Sequence, residues 1–130
     1  MNRKSKGINA ERDLLHMFWE KGWAALRTPA SGSMRLPSPD LIAGNKVRVL
    51  AIECKTSKAK SKYFQQDDLE DLKAFSSVFG AEPWVAIKFN NEKWFFINPE
   101  DLNKTEKGFS INLEFAKNRG LLFEELLQEV

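Results

Sequence analysis

Apolar positions recur at helical spacing from about Ile8 to Lys21, where Ile8, Leu14, Leu15, Phe18 and Trp19 make one stripe and Gly22 supplies a C-terminal stop. Leu41-Ile42-Ala43 and Val47–Cys54 then read as two short strands, the second β-branched and apolar on both faces. Gly44-Asn45-Lys46 between them is a turn signal. Gln65–Phe79 is a second amphipathic helix, with Leu69, Leu72, Phe75 and Phe79 on its apolar stripe and Gly80 as its stop. Trp84–Phe89 and Lys93–Ile97 are strands of a hairpin turned at Asn90-Asn91-Glu92. Asn98 caps a short helical turn that Pro99 begins, Gly108–Asn112 is a further short strand, and Leu121–Val130 is a terminal amphipathic helix. At 130 residues and 42% apolar content, this pattern predicts one domain, 1–130, with a single core rich in its four tryptophans and ten phenylalanines.

The hairpin predicted around Gly44-Asn45-Lys46 carries the candidate chemistry. If the two runs fold back on each other, residues whose numbers sum to roughly 91–93 face one another, which sets Asp40 beside Ala51 or Glu53. Side chains alternate along a strand, so Glu53 and Lys55 share a face, roughly 7 Å apart. Two carboxylates and an ammonium at one end of a hairpin suit a hard divalent cation and a phosphodiester. The plainer alternative is that Asp40 caps a turn and that Glu53 and Lys55 form a solvated strand edge. Glu11 weighs against it, because it falls on the apolar stripe of the first helix, where a carboxylate needs a metal or a basic partner across the core. A first-turn glutamate splayed into water is the competing reading.

Residues 28–39, Thr-Pro-Ala-Ser-Gly-Ser-Met-Arg-Leu-Pro-Ser-Pro, form a long small-residue connection that ends at Asp40. Loops of this length are functional or disordered, and the Ser31 and Ser33 hydroxyls could approach a phosphate. The net charge is only +2, so overall charge does not point to nucleic acid. Its distribution does: Arg3, Lys4 and Lys6 form a basic arm over residues 1–6, expected to be flexible until it meets DNA, and Lys55, Lys58, Lys60 and Lys62 follow the candidate site. A solvated lysine loop is the alternative for the second tract.

Gly7, Glu11-Arg12, Arg27-Thr-Pro-Ala-Ser31-Gly-Ser33, Pro39-Asp40-Leu-Ile-Ala and Ile52-Glu53-Cys-Lys55 together resemble the archaeal Holliday junction resolvases, within the PD-(D/E)xK, restriction-endonuclease-like superfamily. The likeness spans the chain and is sharpest from Gly7 to Lys55. It implies an α/β fold of order α-β-β-β-α-β-β, with a central mixed β-sheet flanked by α-helices. It implies Mg²⁺, with Mn²⁺ as a substitute, held by Asp40, Glu53, the Cys54 backbone carbonyl and Glu11, the last directly or through water. Lys55 would position the attacking water. Ser31 would approach the strand to be cut, and Arg12, with Arg27, Ser33 and Arg35, would contact DNA. The product ends would be a 5′-phosphate and a 3′-hydroxyl, in recombination and repair. Phe75 and Phe79, whose spacing alone says core, would help form a two-fold homodimer.

Other chemistries are disfavoured. One cysteine permits no internal disulfide and fits a reducing cytoplasmic interior. A lone histidine, His16, on the polar side of the first helix leaves no structural zinc site. No Walker-type loop suggests a nucleotide cofactor, and no apolar run suggests a membrane. The expected partner is four-way junction DNA. The alternatives are a related nuclease of other branched, nicked or duplex DNA, and a non-catalytic module that binds branched DNA.

Overall fold

The computed structural model describes residues 3–29, 36–102 and 108–128, with side chains from 7 onward. The predicted hairpin is the middle of a five-stranded sheet. Its strands are β1 (Ala24–Arg27), β2 (Leu41–Gly44), β3 (Val49–Ser57), β5 (Glu82–Phe89) and β6 (Trp94–Ile97), in the order β1-β2-β3-β5-β6. All neighbours are antiparallel except β3 and β5, which run parallel, so the sheet is mixed as expected. A separate ribbon pairs β4 (Ser61–Gln65) with β7 (Gly108–Asn112). The helices are α1 (Arg3–Glu20), α2 (Gln66–Phe79), α3 (Leu113–Arg119) and α4 (Phe123–Gln128), and Pro99–Asp101 forms a 3-10 turn.

Strand alternation sorts the core into two layers. Leu50, Ile52 and Cys54 of β3 join Leu14, Phe18, Trp84, Phe96, Phe123 and Leu126 beneath α1 and α4. Ala51 joins Val85, Ile87, Leu69, Leu72, Phe64 and Phe109 beneath α2 and the ribbon. Buried aromatics dominate both layers, with Phe18 against Phe123 edge-on at 5.0 Å and Phe64 stacked on Phe109 at 5.0 Å.

Several boundaries differ from the sequence expectation. α1 begins at Arg3 rather than Ile8, so the backbone of Arg3, Lys4 and Lys6 is helical and continuous with the helix that carries Glu11. Trp19, placed on the core stripe by spacing, is 58% exposed. Its indole Nε1 donates to the Ala25 carbonyl oxygen at 3.0 Å instead. Val47 is outside β3 and exposed because Asn45 Oδ1 accepts from the Val47 and Arg48 amides, which tightens the turn. Phe79, also assigned to a core stripe, is 55% exposed and stacks on half-buried Phe75. The sequence pattern assigns no residues to β1, β4 or α3, and the order differs from the implied α-β-β-β-α-β-β, since among the described residues four strands precede α2 and three strands and two helices follow it. The terminal helix starts at Phe123 rather than Leu121, because Leu121 pairs with Phe96 of the sheet. The Asn98 cap is as expected, its side chain accepting from the Glu100 amide.

Candidate metal centre and nucleic-acid groove

The β2–β3 register pairs Leu41 with Ile52, so facing residues sum to 93 and Asp40 comes opposite Glu53. The Asp40 amide extends the ladder by donating to the Ile52 carbonyl oxygen at 3.0 Å. Its carboxylate Oδ2 accepts from the Cys54 amide at 2.8 Å, which fixes the side chain over the end of β3. The other end of the connecting segment is closed by Thr28, whose amide donates to the Asp40 carbonyl oxygen and whose hydroxyl donates to that of Pro39. Ser31, Ser33 and Arg35 lie outside the described residues.

Asp40 sits where the two faces of the sheet meet. On the α1 face, Glu11, Asp40 and Cys54 each bring one ligand atom within 4.8 Å of the others. On the α2 face, Glu53 pairs with Lys55, Nζ to Oε2 at 3.6 Å, as the alternation of β3 requires. Arg27, from β1, puts its Nε 4.0 Å from Glu11 Oε1. That Nε is buried and makes no hydrogen bond among the described residues. The cation that Glu11 needed across the core is therefore Arg27, a residue assigned from sequence only to DNA. Arg12, next to Glu11 in the chain, is exposed on another face of α1, and His16 is exposed too.

Burial and crowding raise the carboxyls. Glu53 is pushed up to about 8, first by burial and then by Asp40, with which it also shares a hydrogen bond; Lys55 opposes the shift. Glu11 is raised by burial and by Asp40, against the pull of Arg27 and Lys55. Burial and the same carboxylates push the Cys54 thiol well above its usual range, so it stays protonated and makes a poor ligand. What remains is a set of hard oxygen donors that repel one another, which fits a hard divalent cation.

Beside this cluster, a groove of about 610 Å³ runs over the carboxyl ends of the parallel strands β3 and β5. Glu11, Lys55, Lys58, Lys62, Tyr63 and Lys88 line it. Lys58 and Lys62 thus join the site, whereas Lys60 is exposed and is not part of the groove wall. The tract is no plain loop, since Lys62 is part of β4. Lys88 was not anticipated. Its one signal was a charge within the apolar run of β5, and the parallel register setting it beside Thr56 is invisible in sequence.

A five-stranded mixed sheet with an aspartate and an acid-x-lysine pair converging at one end has the layout of a PD-(D/E)xK nuclease. The family model described as archaeal Holliday junction resolvase (hjc) matches residues 2–130. The crossover junction endodeoxyribonuclease Hjc of Archaeoglobus fulgidus is 42% identical over 97% of this chain and 98% of its own. The protein of that name from Sulfolobus acidocaldarius is 35% identical over 100% of this chain and 92% of its own. The solved structure of Archaeoglobus fulgidus Hjc, a Holliday junction resolvase, superimposes with a TM-score of 0.85 at 39% identity, covering 92% of this chain and 98% of that one. The chain belongs to the archaeal Holliday junction resolvase family.

Proposed function

We propose that this protein is a structure-selective endonuclease that resolves four-way DNA junctions by paired, symmetric phosphodiester hydrolysis. The observation that carries the reading is Asp40, set opposite the Glu53–Lys55 pair and gathered with Glu11 beside a lysine-lined groove, in a chain of this family. Asp40 and Glu53 would hold Mg²⁺ or Mn²⁺, with the Cys54 backbone carbonyl and Glu11 completing the protein's side. When bound, the cation stabilises charge on the reacting phosphate and supports in-line attack.

The chain's own groups do the rest. Lys55, kept near Glu53, orients the attacking water and presents a positive charge to the phosphate. The water oxygen bonds to phosphorus and gives a proton to solvent as the bond to the 3′ oxygen breaks and that oxygen takes up a proton, leaving a 5′-phosphate and a 3′-hydroxyl. Arg27 sets a positive charge 4.0 Å from Glu11. Lys58, Lys62 and Lys88 meet the flanking phosphates from the groove wall. Arg12, exposed on α1, reaches phosphate from outside the groove. Contacts from Ser31, Ser33, Arg35 and the basic residues Arg3, Lys4 and Lys6 rest on the family resemblance and on charge. No helix among the described residues is long and apolar enough to cross a membrane.

The test is cleavage of a mobile-core four-way junction against linear duplexes of the same arm sequences, with Mg²⁺ and with chelator. Paired nicks confined to the junction and dependent on the metal are expected. Asp40→Asn should lower cleavage by at least about a thousandfold, since several kcal/mol of transition-state stabilisation pass through that site, while junction binding persists. Equal cutting of duplexes would point to a broader endonuclease, and binding without nicks to a non-catalytic module.

A further inference from the structure

Tyr63 is an aromatic side chain that the hydrolytic chemistry leaves unused. Along β4 the exposed residues Ser61, Tyr63 and Gln65 alternate with half-buried Lys62 and buried Phe64. Phe64 stacks on Phe109 with their rings 8° from parallel, and both are almost fully buried. This stack fixes which way the ribbon faces, and Tyr63 must point outward. A second constraint acts sideways. Gly108, on the partner strand, has φ 144, and a Cβ there would stand 2.6 Å from Tyr63 Oη and 2.9 Å from its Cζ. A Cβ there would stand closer still, 2.2 Å, to the Phe64 carbonyl oxygen, so backbone and φ restrict the position to glycine, and the phenol lies beside it. Turned outward by the strand and set beside Gly108, the residue is 50% exposed, and it lines the groove with Lys55, Lys58, Lys62 and Lys88.

A half-exposed ring among lysines gains nothing from phosphates, which the lysines already attract. It gains from a flat apolar face. Intact duplex DNA buries its base faces by stacking and shows a protein only base edges, sugar and phosphate. At a branch point the stack is interrupted and a base face is open to an aromatic side chain. We infer that Tyr63 is a specificity-determining residue that stacks on a nucleobase exposed at the branch, so that it selects branched DNA over duplex. The inference rests on the reading of the groove as a branched-DNA site. The plainer role, in which Tyr63 only covers Gly108 and stabilises the ribbon, predicts a change in Tm and none in DNA preference.

The experiment measures affinities in chelator for a four-way junction and for a duplex of one arm, with 2-aminopurine placed either at the branch or within an arm. Wild-type protein should change the fluorescence at the branch and not in the arm. Tyr63→Leu should weaken junction binding roughly 5- to 150-fold, the worth of one stacked base. Its duplex binding should stay within about twofold, and Tyr63→Phe should keep the junction preference. Equal loss for both DNAs, or no loss for either, overturns the assignment. The branch fluorescence with unaltered protein needs no substitution, so the assignment also falls on an absent signal there even if Tyr63→Leu does not fold. A wild-type protein without preference for the junction would instead overturn the proposed function. Preference kept by Tyr63→Leu would leave that function standing and remove only the role of Tyr63.

Discussion

At Glu53 the fold works against a charged carboxylate. Burial and Asp40 raise its pKa from 4.5 to about 8, so near neutrality without a cation the carboxyl keeps its proton in its hydrogen bond with Asp40. The folded pKa lies above the unfolded one, so the stabilising effect is complete at low pH. It is lost as pH rises from about 4.5 through about 8. In chelator the Tm should therefore fall by several degrees between pH 5 and 9, Glu53→Gln should flatten that slope, and added divalent cation should restore stability at the alkaline end. Differential scanning fluorimetry across pH decides it, and a parallel slope in Glu53→Gln would remove Glu53 as the cause. At this scale Asp40, Glu53 and Lys55 were legible in the sequence, because one turn and one strand set their separation. Arg27 as the partner of Glu11 was not, since the two meet only when β1 docks on α1.

Arg48 ties several elements together at the end of the sheet away from the groove. Its Nε and Nη2 donate to the two oxygens of Glu82 at 2.8 Å each, and its Nη1 donates to the Leu126 carbonyl oxygen at 2.7 Å. The guanidinium lies 5.7 Å from the Trp23 ring centroid, and Trp84 Nε1 also donates to Glu82 at 3.3 Å. The turn before β3, the start of β5 and the last turn of α4 are thus joined through one side chain. Arg48→Ala should lower stability by about 2 kcal/mol in urea denaturation, the scale of lost charge-assisted hydrogen bonds around a partly exposed carboxylate. The Arg48 hydrogen bonds hold the Glu82 carboxyl below its usual value of 4.5. That contribution is present above 4.5 and disappears as pH falls through the lowered folded value, so the substitution should cost less at pH 3 than at pH 7. An equal cost at both would assign the effect to packing on Trp23. Neither Arg48 nor Glu82 stood out in the sequence, because a pair separated by 34 residues has no local signal.

Whole-molecule behaviour turns on the outer face of α2. Phe75 and Phe79 stack at 5.0 Å, and Phe79 and Val78 are 55% and 91% exposed. We propose that this face meets its copy in a two-fold dimer, which would set two identical sites at the separation that paired cuts require. Light scattering after size exclusion should give twice the 14.9 kDa chain mass. Phe79→Asp should give a single chain mass and uncouple the paired nicks, and a monomeric wild type would overturn the proposal. Helix periodicity, strand alternation and turn chemistry are local, so the sequence by itself determined α2, the β2–β3 hairpin, strands β5, β6 and β7 and the convergence of Asp40 on Glu53 and Lys55. Docking is not local. Only the tertiary structure decided that Trp19 and Phe79 leave the core, that Lys62 joins a ribbon, that Arg27 meets Glu11 and that Lys88 and Tyr63 face one groove. Those outcomes depend on which faces remain uncovered once distant strands have paired.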